Sequence, residues 1–211
     1  MFACALISEA AARSWRMRSF PLASFSLATG LAAASEIKAQ ANIELLVKAA
    51  EDALHANDFI AAANNYRLAL SHREDPMLRM KFVEVDSRAR VLRFDKNIGP
   101  ARAAEREQRW ADAAHFYERA YEARPDAEVA ARAAHALRIA SGDLSRAATL
   151  ARQAVSLDGN NIAHHITLVE VLIGAKRFAE ADDAAASALS LAPKDARLKE
   201  LSAAIAKKLK A

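Results

Sequence analysis

The chain has 211 residues, enough for one domain of ordinary size, and its 30 Lys and Arg against 26 Asp and Glu leave a formal charge of +4. Charges of both signs are interspersed, so the composition does not favour a nucleic-acid-binding protein. The single cysteine, Cys4, excludes an internal disulfide framework and a cysteine-cluster zinc site. Alanine is abundant, aromatic residues make up 6%, and five Gly and five Pro are too few for an all-β sandwich. These features predict an all-α protein.

Residues 1–41 differ in composition from the rest, being rich in Ser, Ala and Phe. We expect a poorly ordered leader or a linker remnant, and a cytoplasmic protein. The alternative is a signal peptide that directs export, formed by residues 1–41 or by residues 17–41, with Ala-Gln-Ala at 39–41 as the cleavage site. The uncharged run from Ser19 to Ser35 is too polar for a transmembrane helix, so no membrane span is expected.

Three later segments align without gaps and end at Pro125, Gly159 and Pro193, which are 34 residues apart each time. They read RWADAAHFYERAYEARP, DLSRAATLARQAVSLDG and RFAEADDAAASALSLAP, and an earlier copy reads DFIAAANNYRLALSHRE. Each has a bulky apolar residue at its second position, and small residues three and ten positions after that residue lie on the same helix face. Another helical segment precedes each copy, and the turns carry capping residues such as Asp58 and Asp143. The sequence therefore predicts helical hairpins in tandem.

This pattern resembles the tetratricopeptide repeat family, and the second unit matches it best, through Trp110, Ala113, Tyr117, Ala120 and Pro125. The third and fourth units depart from the family by placing an alanine where an aromatic residue is usual. The resemblance implies hairpins stacked in a right-handed superhelix, with a concave groove that binds protein or peptide segments. The units are predicted at residues 43–76, 94–127, 128–161 and 162–195, within a repeat domain at residues 42–211.

The first two copies lie 51 residues apart, and we assign the surplus to an inserted or extended helix at residues 77–93. Pro100 is expected to kink or restart this helix, because proline removes a backbone donor. After the last unit, residues 196–211 are predicted to form an amphipathic helix that covers the end of the array through Leu198, Leu201, Ile205 and Leu209.

The third unit allows two helical frames. A strict count of 34 places His135 against the partner helix, where a buried imidazole needs a hydrogen-bond partner. A turn one residue longer after this helix instead places Ala134 at the contact, turns Leu137 inward and directs His135 to the groove. We prefer the longer turn.

On the first helix of each hairpin, the helical count predicts a set of outward-facing residues that line the groove and bind the partner. They are Val47, Glu51, Leu54, Arg102, Glu105, Arg106, His135, Arg138, Ile166, Glu170 and Ile173. Their mixture of Arg, Glu and Ile favours an amphipathic helix or an extended peptide as the partner. Some family members hold a chaperone's C-terminal carboxylate with Lys and Asn, but Val47 and Glu51 occupy the matching positions here. That clamp is therefore not expected.

No motif points to catalysis, a cofactor or a metal. His164 and His165 are adjacent, so they point about 100° apart on a helix, and we expect one to be packed and the other exposed. The chain has no glycine-rich phosphate loop and no recognisable nucleophile motif, so an enzyme with a small-molecule substrate is not expected.

Two alternatives to a general scaffold remain. The repeats also resemble the C-terminal repeat tails of bacterial J-domain co-chaperones, although the chain has no His-Pro-Asp tripeptide. If the chain is such a tail, separately encoded or lacking an upstream domain, it would retain only the binding function. The arginines between Arg79 and Arg109 suggest a weaker alternative, nucleic-acid binding, but acidic residues interrupt them.

Overall fold

The computed structural model describes the backbone of residues 22–210 and the side chains of residues 35–210. The described part of the chain is all α-helical, which confirms the predicted fold class. We number its helices α1 Leu22–His55, α2 Phe59–His72, α3 Pro76–Arg106, α4 Trp110–Ala123, α5 Ala127–Ile139, α6 Leu144–Leu157, α7 Ile162–Gly174, α8 Phe178–Leu191 and α9 Ala196–Leu209.

The second helix of every hairpin begins at the bulky residue that opens each sequence repeat: Phe59, Trp110, Leu144 and Phe178. The small residues three and ten positions later are fully buried in all four helices, as Ala62 and Ala69 show in α2. An alanine at a helix crossing lets two backbones approach closely, so the repeat encodes the hairpin contact itself. The residue four positions after the first alanine is buried as well, whether it is Tyr117 in α4 or Ala151 in α6.

Side-chain caps fix where most helices begin. Asp58 and Asp126, for example, accept hydrogen bonds from backbone N–H groups three residues on, at 2.9 and 3.0 Å. Asp75, Asp143 and Asp195 cap their helices in the same way, and Asn161 accepts from the N–H group two residues on. Each bond satisfies a donor that the first turn of a helix leaves unpaired. The caps predicted at Asp58 and Asp143 are confirmed.

The turn inside the third hairpin is one residue longer than the others. Asn57, Gln108 and Lys176 adopt left-handed backbone angles two residues before the next helix begins, whereas Ser141 does so three residues before it, and Gly142 fills the extra position. Ala134 is accordingly buried, as the preferred frame requires.

Helix α3 is continuous across the segment predicted as an insertion and the first helix of the second unit, so it does not restart at Pro100. Pro100 and Gly99 lie on the exposed side of α3, where water can satisfy the carbonyl group that proline leaves without a donor. Likewise α1 begins before the boundary predicted at residue 42, because the preceding alanine-rich stretch favours a helix. The rest of the predicted leader, residues 1–21, lies outside the described residues.

Two hydrophobic cores share α3. The N-terminal core joins α1, α2 and the first half of α3 as far as Ala89, and the C-terminal core begins at Phe94 and continues to Ile205 in α9. Leu198 and Ile205 are fully buried and Leu201 is nearly so, whereas Leu209 is 51% exposed. Helix α9 packs on α7 and α8 and closes this part of the array, although Leu209 contributes little.

Candidate functional site

In the C-terminal part of the array the first helices form a row, with α5 contacting α7 and α7 contacting the closing helix α9. We call the surface formed by α1, the C-terminal half of α3, α5, α7 and α9 the first-helix face. All of the predicted groove residues lie on these helices. Their surroundings divide them into charged residues that pair between helices, apolar residues that support the cores, and exposed cations.

A ladder of ion pairs crosses the first-helix face. Arg132 of α5 lies 3.0 Å from Glu105 of α3, and Arg138 of α5 lies 3.1 Å from Glu170 of α7. Glu170 also reaches Arg197 of α9 at 2.7 Å. Glu105, Arg138 and Glu170 are therefore not free to bind a partner, because each already has a partner of opposite charge. The ladder fixes the register of neighbouring hairpins instead.

A buried tyrosine extends the ladder into the core. The Tyr117 hydroxyl donates a hydrogen bond to Glu105, and the side chain is fully buried in the C-terminal core. Burial, followed by the bond to the Glu105 carboxylate, raises the pKa of Tyr117 to about 12. Tyr117 thus remains a neutral donor that holds Glu105 in place.

His135 is half-buried and contacts two neighbours. The Trp110 ring packs edge-on against it, with 5.7 Å between centroids, and its Nδ1 lies 3.3 Å from Arg138. Burial, and next the nearby Arg138 charge, lower the pKa of His135, so the ring favours the neutral form. His135 lies on the predicted face, but it is partly covered by a residue of the second helix.

The four apolar groove candidates are half-buried and support the cores. Val47 and Leu54 pack against the N-terminal core, and Ile166 and Ile173 pack against the C-terminal core. They present only part of their surface to a partner. A cavity of about 480 Å³ lies beside Leu54, between the first hairpin and α3.

Three groove candidates are exposed: Glu51, Arg102 and Arg106. Glu51 lies 3.1 Å from Lys81 of α3, which offsets its charge. Within the described residues, neither Arg102 nor Arg106 has a carboxylate oxygen within 4.0 Å. Among the groove candidates, these two arginines are the cations that remain available to a partner.

Sequence reasoning missed the partners in these pairs. Arg132 and Arg197 lie 27 residues after the carboxylates they bind, Glu105 and Glu170. A separation of 27 residues is one 34-residue repeat minus about two helical turns. A search for opposite charges at that spacing on the first helices could therefore have found both ion pairs. Lys81 carries no such signal, since it lies in the surplus segment outside the repeat.

The adjacent histidines differ from expectation, because both are buried, at 5% and 7% exposed. His165 Nε2 lies 2.9 Å from the Gly159 carbonyl oxygen, and His164 Nε2 lies 3.9 Å from Asp158. The loop between α6 and α7 covers His165, which accounts for the second buried ring. Among the described residues, no group of three His, Cys, Asp or Glu side chains could hold a metal ion. None of the described helices is long and apolar enough to cross a bilayer.

Comparisons with known proteins agree with this architecture. Residues 138–205 match the family model described as tetratricopeptide repeat, whereas a search of curated proteins gives no match. A similar solved structure, the "TPR2B-domain:pHsp70-complex of yeast Sti1", has 18% identity and a TM-score of 0.50, with 56% of this chain and 98% of that chain covered.

Two further structures are similar. The "First TPR of Spaghetti (RPAP3) bound to HSP90 peptide SRMEEVD" has 14% identity and a TM-score of 0.51, covering 57% of this chain and 95% of that one. The "TPR2AB-domain:pHSP90-complex of yeast Sti1" has 14% identity and a TM-score of 0.50, and the alignment covers 85% of this chain and 76% of that one. At such identities the likeness shows the fold alone. Together with the 34-residue hairpin period, it shows the fold of a tetratricopeptide-repeat array, and residues 138–205 match the family model itself.

Proposed function

We propose that the chain is a protein-interaction scaffold whose first-helix face binds a segment of a partner protein. The observation that carries this proposal is the ion-pair ladder from Glu105 to Arg197, which joins α3, α5, α7 and α9 in one register. A surface that is ordered before binding loses less conformational entropy when the partner arrives. This role requires no catalytic group, and we propose that the chain is not an enzyme.

The exposed and half-buried side chains indicate the chemistry of the partner. Arg102 and Arg106 offer cations near the middle of the array, and Ile166 and Ile173 offer partly accessible apolar surface farther along. An amphipathic helix or extended peptide with acidic residues followed by apolar ones complements this order.

A pull-down with two variants tests the assignment. Arg102→Ala combined with Arg106→Ala removes the available cations, and both residues are exposed, so the fold should be retained. Arg138 is unsuitable, because its replacement breaks the ladder. Arg73→Ala with Lys194→Ala makes the same charge change at two exposed positions in turns outside the first-helix face. Proteins retained by the wild type and by this control should be lost with the arginine variant; an identical set of captured proteins contradicts the groove assignment.

A chaperone-associated module is the alternative, favoured by the likeness to a repeat domain that is bound to the HSP90 peptide SRMEEVD. The positions that match the family's carboxylate clamp hold Val47 and Glu51, although Lys81 lies beside Glu51. We expect no saturable binding of this peptide below about 1 mM, which is about −4 kcal/mol. Saturation at micromolar peptide would favour the chaperone role instead.

Nucleic acid is a weaker candidate. Arginines of the segment between Arg79 and Arg109 pair with nearby carboxylates, as Arg79 does with Glu74 and Arg109 with Glu107. Phosphate binding depends on cations that can exchange counterions for phosphates, and paired arginines are less available. A mobility-shift assay with random duplex DNA should show no salt-sensitive complex; a complex that weakens steeply with salt would contradict this.

A further inference from the structure

A second surface, away from the first-helix face, lies where the surplus segment crosses the array. Helices α2 and α4 form the walls of a cleft, and the middle of α3 forms its floor. The cleft has a volume of about 530 Å³. We call it the arginine cleft, after four of its lining residues: Arg67 of α2, Arg90 and Arg93 of α3, and Arg119 of α4.

Two of the arginines are held in place by a buried carboxylate. Asp86 is 8% exposed and lies 2.6 Å from Arg90 and 3.2 Å from Arg93. Arg93 also donates to the Asn64 side chain at 3.2 Å. The charge of Asp86 is thus shared between two guanidinium groups that have fixed positions. A cleft with ordered cations loses little entropy when it binds an anion.

The other two arginines are available. Arg67 and Arg119 are exposed on opposite walls, and no carboxylate oxygen of the described residues lies within 4.0 Å of either. The remaining acid of the cleft, Glu122, lies 3.8 Å from Arg146. Four arginines against two partly engaged carboxylates leave the cleft with a net positive charge, which attracts an anionic ligand.

The cleft also has apolar surface. Ala63 and Ala123 are buried in its walls, and Phe82 is half-buried and lines it from α3. We propose that the arginine cleft binds an acidic peptide segment, whose carboxylates contact Arg67 and Arg119 and whose neighbouring apolar side chain packs on Phe82. A guanidinium group binds a carboxylate through two parallel hydrogen bonds, which suits arginines on two facing walls.

A peptide fits the cleft better than a nucleic acid does. A nucleic-acid backbone needs a continuous basic track, whereas the acidic residues Asp86 and Glu122 lie among the arginines that line this cleft. A phosphate group also has no apolar surface that could pack against the Phe82 ring. The site is separate from the proposed groove, so the two can be tested independently.

Fluorescence anisotropy with the full chain provides the test. The probe is a short fluorescein-labelled peptide of alternating glutamate and phenylalanine with an amidated C-terminus. Arg67→Ala combined with Arg119→Ala should weaken its binding at least about tenfold, since hydrogen bonds between charged groups are lost. Arg67→Lys with Arg119→Lys should give intermediate binding, because the charge is kept and the paired hydrogen bonds are not. Lys207→Ala with Lys208→Ala should bind as the wild type does.

Several outcomes would overturn the proposal. One is equal affinity of the wild type and the Arg67→Ala, Arg119→Ala variant, with circular dichroism showing both to be folded. Another is equal binding of a peptide with glutamine in place of glutamate. Loss of binding in Arg102→Ala with Arg106→Ala alone would place the peptide in the groove. Displacement of the peptide by inorganic phosphate at a lower concentration than by unlabelled peptide would identify a phosphate site.

Discussion

Glu170 is the residue of the ladder whose replacement should cost most. Its side chain is 17% exposed, and its two oxygens engage Arg138 at 3.1 Å and Arg197 at 2.7 Å, so it joins α7 to both α5 and α9. Glu170→Gln keeps the size of the side chain and removes its charge. Arg138, itself 24% exposed, then loses its carboxylate, and its Nε is already buried without a hydrogen-bond partner among the described residues.

The expected loss follows from this geometry. The glutamine amide keeps one acceptor oxygen for two arginines, so one guanidinium group loses its acceptor, and leaving a partly buried charged donor in that state costs about 1–3 kcal/mol. With a urea dependence of about 2 kcal/mol per M, the unfolding midpoint should fall by about 0.5–1.5 M. Circular dichroism at the helical minimum measures this shift, and hydrogen exchange of α9 amides reports whether the last helix loosens first.

Glu200→Gln is the matched control. Glu200 pairs with the same arginine, Arg197, at 3.4 Å, but its side chain is 69% exposed. An exposed pair contributes little to stability, so this variant should unfold at the wild-type midpoint. Equal midpoints for Glu170→Gln and the wild type, or equal losses for both variants, would refute the conclusion that the ladder stabilises the stacking of the hairpins.

Three further predictions test other parts of the structure. Ile205→Ala should destabilise the protein by about 2–4 kcal/mol in urea unfolding because Ile205 is fully buried, whereas Leu209→Ala on the same helix should have little effect; equal effects would contradict the packing of α9. Asp126→Ala should cost about 1 kcal/mol through the lost cap at Val129, and an unchanged midpoint would contradict that cap. Because the pKa of His135 is lowered, the unfolded state takes up its proton first as the pH falls below about 6.5, and stability decreases there. The melting temperature of His135→Gln should therefore fall less between about pH 7.5 and about pH 5.5 than that of the wild type or of His115→Gln. Equal falls would contradict the conclusion that His135 causes the loss of stability.

The fold could be predicted because the repeat records close helix contacts. Only small residues fit where two helices cross, so Ala113 and Ala120 recur at fixed offsets, and the period follows from their spacing. The longer turn at Ser141 could also be predicted from the sequence, because the shorter turn would have buried His135, which would then have needed a hydrogen-bond partner.

The groove was harder to predict. The helical count identified Glu105 and Glu170, but exposure depends on which side chain of a neighbouring helix reaches across, and Arg132 and Arg197 lie one hairpin away along the chain. Pro100 was expected to kink or restart α3, yet its effect depends on whether the freed carbonyl faces water, which one-dimensional periodicity does not record. His165 is buried by a loop rather than by a helix face, so spacing alone gave the wrong answer.

The continuity of α3 sets a distance for any partner that contacts both ends of the array. Seventeen surplus residues at about 1.5 Å each lengthen the rod between the first hairpin and the others by up to about 26 Å. An extended chain covers about 3.3 Å per residue, so a ligand spanning both parts needs about eight residues more than one bound to an uninterrupted stack. A partner protein that binds both parts of the array must have a spacer of that length between its two contact segments.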